Sequence, residues 1–125
     1  MKIADANVVL RYLLDDNKKQ ANIAAQVLEN ENVFIPFEVI AEIVYVLIKV
    51  YQVDKKKLCS QLAALLTYPN IATNDDDVIF HSFLIFQKKN FDFVDSILCA
   101  YKVIRGYEII TFDEQIKKYK TSNDK

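Results

Sequence analysis

Apolar positions along the chain alternate between short runs and longer stretches of helical period. The short runs in "KIAD", "VFI", "IAT" and "YEIIT" predict strands at residues 2–5, 33–35, 71–73 and 107–111. Directly after Asp5 the spacing changes, and Val8, Val9, Tyr12 and Leu13 fall along one helical face. Ala21, Ala24, Ala25 and Leu28 share a face over 18–30, and Leu58, Leu62, Leu65 and Leu66 share one over 54–67, with Asn17 and Asp54 as N-caps. A helix over 36–51 opens on Pro36, which suits a first turn. One over 75–89 carries Asp75, Asp76 and Asp77 in its first turn and Lys88 and Lys89 in its last, matching the helix dipole at both ends. That acidic triplet is read as a helix start rather than a metal site. A further helix lies in "NFDFVDSILCAYKVI" and stops before Gly106, the only glycine. Strands alternating with helices of this length predict βα units around a parallel sheet, an α/β fold.

Length narrows this to one domain, expected over 1–120 with a polar tail at 121–125. An apolar fraction of 52%, 26% charged residues, one Gly and two Pro exclude collagen-like and disordered classes. Sixteen Lys and Arg against 17 Asp and Glu give a net charge of -1, so any contact with nucleic acid must be local. Only Arg11 and Arg105 are arginines, which leaves phosphate contacts mainly to Lys. Cys59 and Cys99 form no CxxC pair and the chain has one His, so a zinc or redox site is not expected and both thiols read as reduced core residues. The start of the chain lacks a signal-peptide apolar run, and the greasiest stretch is broken by Pro36, Glu38, Glu42 and Lys49. A cytoplasmic protein without a membrane span is the expectation.

The candidate chemistry lies in the carboxylates. In a parallel sheet the carboxyl ends of the strands share one edge, where ligands bind. Asp5 closes the first strand there, and Asp113 follows the last. On helix 36–51 the charged residues Glu38, Glu42 and Lys49 occupy a stripe roughly 40° wide at about 100° per residue; this is either a thin solvent-facing line or part of a site. Asp92 suits an N-cap with Asp95 at the third helical position, so Asp95 either completes a local cap or points into the cleft as a ligand. Clustered carboxylates repel unless a cation neutralises them, and oxygen donors without nearby Cys or His favour Mg²⁺ or Mn²⁺.

These motifs resemble the PIN-domain ribonucleases, in particular the VapC-like toxins of bacterial toxin-antitoxin pairs. "IADANVVLRYLLDD" is similar to the opening strand and helix, "IPFEVIAEIVYVL" to the segment with the central Glu, "DFVDSILCAYKV" to that with the third acid, and "IITFDEQI" to the last strand and its exit. Ala6 stands where Thr or Ser is frequent. The resemblance implies a three-layer α/β/α sandwich with a mainly parallel central sheet. It implies that Asp5, Glu42, Asp95 and Asp113 are catalytic and hold Mg²⁺ or Mn²⁺ for hydrolysis of RNA phosphodiester bonds, in tRNA or rRNA. Asn7 and Thr111 would orient the ligands, and Asp92 would assist or merely cap. It also implies a homodimer, a small antitoxin protein over the cleft, and inhibition of translation. Two alternatives stay open: a non-catalytic PIN-like module that binds RNA or protein, and a phosphatase with Asp5 as nucleophile. Asn7 weakens the latter, because that chemistry normally wants a second acid there. His81 reads as structural, and the run Lys55, Lys56 and Lys57 as a solvated face or an RNA backbone contact.

Overall fold

Strand β1 (Lys2–Ile3) pairs in parallel with β2 (Val33–Phe34), Lys2 opposite Val33 and Ile3 opposite Phe34. β2 pairs in parallel with β3 (Ile71–Ala72), Val33 opposite Ile71 and Phe34 opposite Ala72. The coordinates are a computed structural model that describes residues 1–120, so the expected tail at 121–125 lies outside the described residues. The chain divides into two compact units, Met1–Asp76 and Asp77 onward.

The first unit holds the sheet, in the order β1-β2-β3, and helices α1 (Ala6–Leu14), α2 (Lys18–Asn30), α3 (Phe37–Lys49) and α4 (Lys55–Leu66). Parallel strands need crossovers, and the helices supply them: α1 and α2 run between β1 and β2, α3 and α4 between β2 and β3. α2 and α4 start where the sequence places their caps. The Asn17 carboxamide accepts from the Gln20 N–H at 3.1 Å, and the Asp54 carboxylate accepts from the Lys57 N–H at 3.2 Å. Pro36 takes the N-cap position of α3 rather than its first turn, with extended backbone and no side-chain cap of its own. Leu28, Ile40, Ile43, Leu47, Leu58 and Leu62 are buried, each contributing about 1.5–3 kcal/mol relative to exposure. The Asn70 amide donates to the carbonyls of Leu28 and Glu31, both at 2.8 Å, tying the approach to β3 to the end of α2.

The second unit carries α5 (Asp76–Lys88, which begins at the boundary), α6 (Phe93–Arg105) and α7 (Glu114–Lys118). Phe93 stacks on Phe83 at 5.5 Å between centroids and meets Phe86 edge-on at 5.4 Å, which locks α6 to α5. Gly106 ends α6 in the left-handed region at φ 70°, its N–H donating to the Lys102 carbonyl at 3.1 Å. Cys59 and Cys99 form no disulfide and are buried, as expected, and burial pushes their thiols up to about 12 and about 11.

The α/β class and the parallel sheet match the sequence reading. The expected strand at 107–111 does not form among the described residues: the segment joins no ladder. Its apolar residues give β propensity, yet a strand needs a paired edge and a face to bury. Instead the Tyr107 ring stacks back on Tyr101 of α6, centroids 5.7 Å apart, and Ile110 is 98% exposed. The other three strands are shorter than their apolar runs, although the Ala4 N–H still donates to the Phe34 carbonyl at 3.2 Å beyond the end of β1.

Candidate functional site

In the first unit, Asp5 leaves β1 in extended backbone (φ -86°, ψ 173°) and caps α1, its Oδ1 accepting the Val8 N–H at 3.1 Å. The abrupt change from strand to helix at Asp5 is therefore a capping event. α1 packs against α3, the helix that carries Glu42. Glu38, Glu42 and Lys49 are all exposed, so the narrow charged stripe on α3 faces solvent, with Tyr45 beside it. Asn7 is exposed and borders, with Arg11 and Ile23, a largely apolar hollow of about 270 Å³.

In the second unit, Asp92 caps α6 and accepts the Asp95 N–H at 2.8 Å, which is the capping spacing that the sequence displays. Asp113 caps α7, its Oδ1 accepting from the N–H groups of Gln115 at 2.8 Å and Ile116 at 3.2 Å. Since 107–111 is not a strand, Asp113 follows a segment outside the ladder rather than a sheet edge. The Thr111 hydroxyl accepts the Asp113 N–H at 3.0 Å and holds that turn.

Local capping does not exhaust the role of Asp95. Burial raises its carboxyl above the ordinary carboxylate range, and so do the charges of Asp92 and Asp113 and a side-chain hydrogen bond with Asp92. Asp92 and Asp113 thus both bear on Asp95 within this unit. Among the described residues, no group of three or more His, Cys, Asp or Glu side chains is gathered as a metal centre would require. The donor chemistry nevertheless suits a hard divalent cation: carboxylate oxygens only, an Asp95 charge disfavoured by its neighbours, and Asp5 and Asp113 each using a single oxygen in its cap.

The acidic run reads as ordinary structure. Asp76 and Asp77 open α5, and Asp77 pairs with Arg105 at 3.3 Å, as suits a helix start. His81 is half-buried in mid α5, and burial followed by the Lys88 charge lowers its pKa. One positioning residue escaped the sequence reading. The Asn74 side-chain oxygen accepts the Phe37 N–H at 2.7 Å and so supplies the cap that Pro36 lacks at the start of the Glu42 helix. A contact across 37 residues leaves no local signal, and Asn74 reads along the chain as part of the start of α5.

The PIN domain family model matches residues 2–121, and the chain belongs to that family. The PIN fold is of nuclease type, its members usually bind divalent metal, and RNA is their general ligand. No curated protein matches the chain. Among the described residues, no helix is long and apolar enough to cross a membrane.

Proposed function

We propose that this PIN protein is a metal-dependent endoribonuclease, the VapC-like toxin of a toxin-antitoxin pair, and that residues 1–120 act as one domain. The observation that carries the reading is Asp95, half-buried and beside the like charges of Asp92 and Asp113 without a counter-charge among the described residues, in a family that usually binds divalent metal. Asp5, Glu42, Asp95 and Asp113 would together hold Mg²⁺ or Mn²⁺. The chemistry that such an ion supplies when bound is activation of water and neutralisation of charge on the leaving oxygen of an RNA phosphodiester.

The residues of the chain do the positioning. The helix-capping contacts fix Asp5 and Asp113 by one oxygen and leave the other for a ligand. Thr111 holds the backbone of Asp113, Asp92 holds that of Asp95, and Asn7 stands two residues beyond Asp5 to orient its carboxylate. In this reading the protein is a cytoplasmic homodimer that cuts tRNA or rRNA, arrests translation, and is silenced by a small antitoxin protein.

The test incubates the purified chain with total tRNA and rRNA in Mg²⁺, Mn²⁺ or EDTA, beside Asp5→Asn and Asp95→Asn. Cleavage is expected only with metal, and each variant is expected to lose at least about a hundredfold in rate. Cleavage that persists in EDTA or in both variants contradicts the mechanism. RNA binding without cleavage under every condition favours the non-catalytic module.

A further inference from the structure

The unit from Asp77 onward carries three adjoining hollows of about 250, 580 and 400 Å³, all bordered by Tyr119 and Lys120. Lys88 and Lys89 line the first, Lys89 and Lys118 the second, and Lys102 the third, and no Asp or Glu among the described residues lines any of them. The helix dipole accounts for Lys88 and Lys89 at the end of α5. It accounts too for Lys118 in the last turn of α7, but not for Lys120, two residues beyond that helix. Lys88, Lys89, Lys118 and Lys120 are exposed, and none pairs with an acid among the described residues. A chain of net charge -1 has no need to gather unpaired cations in one place.

The groove also holds aromatic rings in place. The Lys102 ammonium donates to the carbonyls of Lys117 at 3.0 Å and Tyr119 at 3.1 Å, which fixes the segment after α7 against α6. Tyr119 then meets Phe91 edge-on, centroids 6.1 Å apart, and both rings are half-buried at the rim of the largest hollow. Gln115 borders the same hollow, and its N–H donates to Asp113. Phe91 immediately precedes Asp92. The groove is therefore lined in part by residues one or two positions along the chain from two of the acids discussed above.

We propose that this groove binds the backbone of single-stranded RNA, with Lys88, Lys89, Lys118 and Lys120 neutralising successive phosphates and Phe91 and Tyr119 offering faces to unstacked bases. The choice of RNA rests on the ribonuclease reading. The rings support it independently, because an acidic peptide would match the lysines and leave the aromatic faces unused.

Fluorescence anisotropy with a labelled single-stranded oligoribonucleotide, in EDTA and over a range of NaCl, reads the binding without cleavage. The double variant K89Q/K120Q is expected to bind about tenfold more weakly, with a salt slope shallower by about 1.4 for two lost phosphate contacts. K89R/K120R restores both, and K56Q/K57Q, which alters the other basic run, stays within about twofold of the parent. The proposal is overturned if the parent chain does not bind, if K89Q/K120Q binds as the parent does, or if poly-glutamate competes as well as unlabelled RNA. Cleavage of the same oligonucleotide in Mn²⁺ separates the two readings. Binding that depends on Lys89 and Lys120 without any cleavage upholds the groove and refutes the nuclease. Cleavage with unchanged affinity in K89Q/K120Q refutes the groove alone.

Discussion

The two units treat their polar side chains differently. In Met1–Asp76 several polar side chains are tied together in pairs and small networks. The Tyr12 hydroxyl donates to Glu29 at 2.6 Å and shares a hydrogen bond with Tyr68 at 2.9 Å, while Arg11 grips both oxygens of Asp16 at 2.9 and 3.0 Å and donates to the Tyr51 hydroxyl at 3.1 Å. Lys2 pairs with Glu31, and Lys18 with Asp15. From Asp77 onward, Arg105 and Lys117 have acidic partners, but Asp95 sits beside two like charges and the lysines around Tyr119 lack acidic partners among the described residues. The first unit is arranged to hold a sheet. The second gathers like charge, acids around Asp95 and lysines around Tyr119.

Substitutions can break this contrast. Tyr12→Phe leaves Glu29 and Tyr68 without the shared hydroxyl and is expected to cost about 1–2 kcal/mol in urea denaturation. Lys89→Gln should change stability by less than about 0.5 kcal/mol. Equal losses would erase the distinction. A smaller effect of opposite sign is expected at Asp95, where the ionised carboxyl is disfavoured by burial and by Asp92 and Asp113. Asp95→Asn should stabilise the metal-free protein by about a few tenths of a kcal/mol, solvent screening keeping the gain small, as read by thermal melting in EDTA. A loss of stability there would mean that Asp95 serves the cap more than the cluster.

The smallest effect concerns His81. Its pKa is lowered in the fold by burial and then by Lys88, so the folded ring stays neutral where an unfolded one takes up a proton. Stability from this source is intact above the unfolded value, about 6.5, and declines as pH falls below it. A pH series of melting temperatures should show a shallower acid-side decline in His81→Gln than in the parent chain.

The positions of the first three strands, and the caps at Asn17, Asp54 and Asp92, were legible because each depends on residues no more than a few apart. A cap reaches three residues along the chain, and a helical face repeats within four. Strand length was not legible, because a ladder ends where its partner ends, and β1, β2 and β3 each pair over only two residues. The segment 107–111 has the composition of a strand, but the stacking of Tyr107 on Tyr101 is a tertiary event that composition does not encode. The raised pKa of Asp95 comes first from burial, then from Asp92 and then from Asp113, 18 residues further on, and the cap on α3 depends on Asn74; the burial and the two distant partners leave no local pattern.

The most direct test is calorimetric titration of the RNA-free chain with Mn²⁺. A saturable site is expected, weakened by at least about 10- to 100-fold in each of Asp5→Asn, Glu42→Gln, Asp95→Asn and Asp113→Asn. Absence of binding in the parent chain, or equal affinity in all four variants, would contradict the claim that these carboxylates share one cation.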